Sequence, residues 1–256
     1  MIPRLPKAFL DAPIAHRGLH DATDGRPENS RAAIRAAMDA GYGIEIDLQM
    51  TSDAQAIVFH DYDMGRLTGT PGAIRLVSSE QAQALSLLGG EDERIPSLSE
   101  VLGQVGGRAP LLIELKDQDG AMGTNIGLLE QATATALAGY QGPVALMSFN
   151  PNSVALLADL LPDVPRGIVT SAYDPTEWPL PRKICDHLRD IPDYDRTRSS
   201  FISHEVEDLM RPRVAELRAA GADILCWTSK SADQDHVARR VAQNVTFEGY
   251  LAQAPG

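Results

Sequence analysis

Residues 43–50 read GIEIDLQM. Taken in twos, Ile44, Ile46 and Leu48 share one side of a strand, and Glu45, Asp47 and Gln49 share the other. Apolar sequence on both sides, including AIVFH at 56–60, places that strand deep in the protein. Two neighbouring carboxylates are costly to bury as free charges. The run PLLIELK at 110–116 repeats the pattern, with Glu114 and Lys116 on one side. Three carboxylates offering only oxygen suit a hard divalent cation, Mg2+ or Ca2+, better than zinc. The competing arrangement pairs each acid with a buried lysine or arginine.

Two histidines fall at comparable places. His16 and Arg17 end the apolar run 12–18, and His60 and Asp61 end AIVFHD at 56–61. Two imidazoles at strand ends, beside an arginine and a cation site, read as a general acid and base pair. His20 and His204 are weaker candidates. His187 and His236 read as surface residues.

Short apolar strands alternate with amphipathic helices about eight times along the chain, the signature of a parallel sheet covered by helices. Helices are expected at 29–42, 97–107, 125–140, 151–161, 207–221 and 231–244. Asn29 or Ser30 can cap the first of these, and Ser97 with Glu100 has capping-box spacing. In 256 residues this pattern predicts one closed (β/α)8 TIM barrel over 1–256. An open doubly wound sheet competes, but neither a glycine-rich dinucleotide fingerprint nor a P-loop follows the first strand. A closed barrel explains the acids, because the C-terminal ends of its strands open into the active-site mouth. Residues 61–96 and the proline-rich 172–198 are too long for plain connections. The first is expected to form a small cap insertion after the second strand region.

Composition narrows the function. Hydrophobic residues make up 43%, enough for a full core. Against 23 basic residues stand 35 acidic ones, a net charge of -12. That balance argues against nucleic acid and against docking on anionic membranes, so an anionic substrate needs local positive charge. No apolar run has membrane-spanning length and the N-terminus has no signal-peptide core, so a cytoplasmic protein without stable membrane insertion is expected. Cys185 and Cys226 read as reduced residues of the interior. The oligomeric state is not set by the sequence.

AHRG, PENS, EIDLQMTSDAQAIVFHD, RIPSLSEVL, IELK and CWT follow one another along the chain. In that order they resemble the motifs of the glycerophosphodiester phosphodiesterase family across nearly its whole length. The resemblance implies a metal-dependent hydrolase on a (β/α)8 barrel that cuts glycerophosphodiesters into an alcohol and glycerol 3-phosphate. It implies His16 and His60 as the catalytic histidines and Glu45, Asp47 and Glu114 as metal ligands. It puts Arg17 and Lys116 against phosphate, Trp227 in the lining of the mouth, and Glu28 and Asn29 beside the site. Two stretches depart from the family pattern: the final VTFEGYLAQAP and the segment 172–198.

The chemistry so implied is phosphodiester hydrolysis, with one histidine deprotonating the nucleophile and the other protonating the leaving alkoxide. The nucleophile is water or the substrate's own C2 hydroxyl, and either histidine can be the acid. Three alternatives compete. A lysophospholipase D would use the same fold on lipid diesters, with an apolar lip from Leu67, Leu76, Leu85, Leu87 and Leu88. An aldolase-like barrel would form a Schiff base at Lys116. A binding module would keep the barrel without its chemistry.

Overall fold

The structure, a computed structural model, describes residues 2–253. Nine strands form one sheet: β1 (Ile14–Ala15), β2 (Gly43–Met50), β3 (Ala56–Val58), β4 (Leu111–Leu115), β5 (Val144–Ser148), β6 (Arg166–Thr170), β7 (Phe201–Glu205), β8 (Asp223–Ser229) and β9 (Asn244–Phe247). All but β3 pair in parallel, and β1 bonds to both β2 and β9. The sheet therefore closes on itself as the expected (β/α)8 barrel. Among the described residues no helix is long and apolar enough to cross a membrane.

The helices are α1 (Ala8–Asp11), α2 (Arg31–Asp39), α3 (Gly65–Thr68), α4 (Ser79–Gln83), α5 (Leu98–Val105), α6 (Leu128–Leu137), α7 (Pro151–Leu160), α8 (Arg182–Arg189), α9 (Pro212–Ala219) and α10 (Ala232–Ala238). Ser30 caps α2 by accepting the Ala33 amide, and Ser97 with Glu100 forms the capping box of α5. The helix expected over 207–221 is interrupted. A 3-10 turn at Val206–Asp208 precedes α9, and Pro212 starts a new helix where its missing amide costs nothing.

The period of two in β2 sorts its side chains between two layers. Ile44, Ile46 and Leu48 pack outward against Ile34, Val101 and Leu129 of the helices. Glu45, Asp47 and Gln49 share the opposite face and are each 1% exposed. The barrel interior below them is apolar, built from Leu112, Ala145, Met147, Val169 and Leu225. Its lower end is plugged by α1, where Phe9 is fully buried in that same interior cluster. The Asn244 side-chain amide, at the start of β9, donates to the Phe9 and Ala12 carbonyls at 2.7 and 2.6 Å and holds the plug.

β3 departs from the expected parallel arrangement. It runs antiparallel to β2, with Leu48 opposite Val58 and Met50 opposite Ala56. The chain passes the barrel rim on β2, turns at 51–55 and folds back, so His60 approaches the mouth from a reversed strand. The Gln49 side-chain amide donates to the His60 carbonyl at 3.0 Å and anchors that return.

The insertion at 61–96 carries α3 and α4, and its Met64, Leu67, Ile74, Leu87 and Ile95 form an apolar cluster with Ile57 and Phe59 at the end of β3. Leu67 and Leu87 are buried there and Leu85 packs against the same cluster, whereas Leu76 and Leu88 are exposed. The segment 172–198 contains α8 and a second small cluster of Tyr173, Leu180, Cys185 and Leu188. Cys185 and Cys226 are free and buried.

Candidate active site

Parallel pairing sets the acids side by side. Asp47 is in register with Glu114, and Glu45 precedes Asp47 on the same face. Glu45, Asp47 and Glu114 each offer a carboxylate oxygen within 4.8 Å of the others. Lys116 sits over them, its Nζ 2.7 Å from Asp47 Oδ1 and 2.7 Å from Glu114 Oε1. Arg17 Nε lies 3.3 Å from Asp47 Oδ2, and its Nη1 lies 2.7 Å from Glu28 Oε1. Buried Asn29 donates to Asp47 Oδ2 at 2.9 Å and accepts the Asp47 amide at 3.2 Å.

These contacts divide the three acids. Burial opposes ionisation of Asp47, but the Lys116 ammonium, then His60 and Arg17, outweigh it and hold its pKa far below the usual range. Burial pushes Glu45 well above the ordinary range, and its neighbours Asp47 and Glu114 add to the rise. Glu45 accepts the Arg17 backbone amide at 2.9 Å. Burial also raises Glu114, against the pull of Lys116. Three buried carboxylates share Lys116 and part of Arg17, so ionising all three leaves negative charge without a partner. An oxygen-only cluster with that excess fits a divalent cation, and Glu45, Asp47 and Glu114 are the residues that would hold it.

Local backbone brings Arg17 there. Arg17 has φ of 53° and Gly18 follows at 78°, two successive left-handed residues. A Cβ on Gly18 would stand 2.8 Å from the Ala33 carbonyl carbon, so only glycine lets this turn lie against α2. The turn aims the Arg17 amide at Glu45 and its carbonyl at the Asn29 amide, 2.9 Å away.

Each histidine rests on a carboxylate. His16 Nδ1 is 2.6 Å from Glu248 Oε2, and His60 Nδ1 is 2.7 Å from Asp61 Oδ1. Burial lowers the His16 pKa, with the Glu248 hydrogen bond opposing it. Burial, then the Lys116 charge, brings His60 down to about 4. Engagement of each Nδ1 by a carboxylate leaves each Nε2 as the other ring nitrogen that can exchange a proton. Arg66 of the cap bonds Asp61 Oδ2 at 2.6 Å and grips Glu28 at 2.8 Å, tying both histidine and arginine supports together.

All these groups surround one cleft with two lobes. The first, about 420 Å³, is lined by His16, Arg17, Glu28, Glu45, His60, Glu114, Lys116 and Trp227, with Asp47 and Asn29 buried behind. The second, about 530 Å³, shares His60, Glu114, Lys116 and Phe149 with the first. His16, His60, Glu45, Asp47, Glu114, Arg17, Lys116, Glu28, Asn29 and Trp227 thus gather here, and Lys116 bridges Asp47 and Glu114. His20 also lines the first lobe. His204 does not; its ring is buried between Thr170 and Asp208. Sequence reasoning missed Glu248, Lys230, Arg66, Phe149 and Trp178. For Glu248, the signal was an acid standing at the end of the final strand.

The glycerophosphoryl diester phosphodiesterase family profile matches residues 16–244. A Bacillus subtilis protein provisionally named as a glycerophosphodiester phosphodiesterase, YhdW, is 29% identical over 84% of this chain and 84% of its own length. A glycerophosphodiester phosphodiesterase of Caldanaerobacter subterraneus is 38% identical over a shorter span, 40% of this chain and 44% of that one. An Oleispira antarctica phosphodiesterase, solved in complex with the product sn-glycerol-3-phosphate, shares the fold with a TM-score of 0.75 at 23% identity, over 94% of each chain. Because the matched span starts at the first cleft histidine and reaches the last barrel strand, the chain belongs to the glycerophosphoryl diester phosphodiesterase family.

Proposed function

We propose that this chain hydrolyses glycerophosphodiesters to an alcohol and glycerol 3-phosphate, with His16 and His60 as the acid and base pair. The observation that carries this reading is the meeting of two carboxylate-braced histidines, two cations and a three-acid cluster in one cleft. A divalent cation held by Glu45, Asp47 and Glu114, Mg2+ or Ca2+, would supply charge neutralisation at the phosphoryl oxygens.

The chain's own groups do the rest. Arg17 and Lys116 face the cleft and supply positive charge where the phosphate sits. His60, neutral above a pH of about 4, suits the base that takes the proton from the attacking hydroxyl. His16, its ring held by Glu248, then takes the acid's part and gives a proton to the oxygen whose bond to phosphorus breaks. Attack by water and attack by the C2 hydroxyl use the same pair; the second passes through a cyclic phosphate.

Turnover of a panel of glycerophosphodiesters and lysophospholipids, with and without Mg2+ or Ca2+, tests the assignment. Release of glycerol 3-phosphate from the water-soluble diesters supports it. Turnover confined to lysophospholipids would replace it with a lysophospholipase D activity.

A further inference from the structure

Beyond His60, Asp61, Glu114 and Lys116, much of the second lobe's wall comes from side chains with no part in the proton chemistry. Tyr62 comes from the start of the cap, Met122 from the loop after β4, and Trp178 from the proline-rich segment 172–198. Phe149, following β5, completes the wall. The Trp178 ring is fixed by Tyr173 at 4.8 Å and by Phe149 at 5.2 Å. The Tyr62 hydroxyl donates to the Asp117 carbonyl at 2.6 Å, which steadies that ring.

The charges of this lobe are unevenly committed. Its cations are already engaged, Arg66 by Glu28 and Asp61 and Lys116 by Asp47 and Glu114. Two of its acids are held by amides instead. Asp63 accepts the Gly65 and Gly72 amides at 2.8 and 2.9 Å. Asp117 is 5% exposed and accepts the Met122 amide and the Asn150 side chain at 3.0 and 2.8 Å. Amide donors leave a carboxylate its charge. An anionic group would meet these acids and committed cations, and a polyhydroxyl group would face rings. A cation sheathed in methyl groups suits both features, since aromatic faces attract cations and the apolar wall accepts methyls.

The first lobe differs. His20, Thr228, Lys230 and Glu248 give it polar side chains for hydroxyls. We infer that the second lobe takes the alcohol part of the diester and selects a quaternary ammonium head group of the choline type. This inference rests on the proposed glycerophosphodiester activity and assigns the leaving group within it.

The test compares sn-glycero-3-phosphocholine with its 3,3-dimethylbutyl ester, where carbon replaces the charged nitrogen at the same shape. The choline ester should be favoured in kcat/KM by about tenfold, the scale of a desolvated cation–aromatic contact. Trp178→Leu keeps apolar bulk and should reduce that preference to about twofold or less, while Trp178→Phe restores most of it. Equal kcat/KM for the two esters, or an unchanged preference in Trp178→Leu, overturns the inference. Calorimetric titration with tetramethylammonium gives a readout independent of turnover. Binding that Trp178→Leu abolishes would uphold the lobe even if no diester were cleaved, an outcome that would overturn the proposed function instead. Absence of tetramethylammonium binding to the wild type together with absence of turnover overturns both.

Discussion

His16 and Glu248 stand 232 residues apart in the chain and 2.6 Å apart in the cleft. The contact ties the first barrel strand to the end of the last. Glu248 is held well below the ordinary range first by its hydrogen bond with His16 and then by His20, whose Nε2 lies 3.7 Å away, despite its partial burial. A charged Glu248 orients the His16 ring and raises that ring's pKa against burial. Glu248→Gln should therefore lower kcat by about tenfold or more. It should also move the His16-controlled limb of the pH–rate profile to lower pH, because the group raising the pKa has lost its charge. A lower kcat without that displacement would mean that Glu248 only supports the fold.

His16→Ala and His60→Ala should each reduce kcat/KM by about 100- to 10,000-fold. Both side chains face the cleft rather than the core, so circular dichroism should be unchanged. Near wild-type turnover in either variant would remove that histidine from the mechanism.

Chelation with EDTA should abolish turnover, and Mg2+ or Ca2+ should restore it. The same cation should raise the melting temperature, since it binds the folded cluster and relieves Glu45 and Glu114. In Glu45→Gln that rise should shrink. Full activity after rigorous metal removal would refute cation dependence.

Lys116→Met separates two roles. If Lys116 meets charge that grows in the transition state, kcat and kcat/KM fall together. If it only ties Asp47 to Glu114, saturating metal rescues kcat. The first outcome is expected. Arg17→Lys should lower kcat/KM as well, because an ammonium cannot reproduce a guanidinium's two-pronged reach. Kinetics unaltered in Arg17→Lys would show that the guanidinium does not grip the phosphate.

Phe9→Ala should destabilise the barrel by about 3–5 kcal/mol, the usual cost of removing a fully buried aromatic side chain. Active-site geometry lies at the opposite end, so kcat at low temperature should change little. A chemical denaturation curve overlapping wild type would show that the plug adds nothing.

The barrel and most of its site were legible because they rest on short-range periodicity. Alternation in GIEIDLQM and PLLIELK fixed which residues face inward, and the barrel's closure then forced Glu45, Asp47 and Glu114 together. What depended on long-range register was not legible. Glu248 follows a four-residue strand whose sequence departs from the family pattern, and nothing local points it at His16. The direction of β3 was equally hidden, because three apolar residues read the same in either orientation. Phe9 lies in a four-residue helix too short for a periodic signal, and Trp178 sits in the irregular turns that precede α8. In the cap, leucines that could have formed an apolar lip partly turn inward, Leu67 and Leu87 completing a small core.

The reversed strand gives the molecule a natural seam. Ile57 bridges Ser97, and the Val58 amide donates to the Pro96 carbonyl at 2.8 Å, so the chain enters and leaves the cap through adjoining points. A cap from another barrel could be grafted there without stretching the strands beneath it. The cut has to fall after Asp61, because His60 and its carboxylate hang on the hairpin and would leave with a longer excision. A transplanted cap would also need an arginine in the position of Arg66, the one side chain that reaches from the cap to both Glu28 and Asp61.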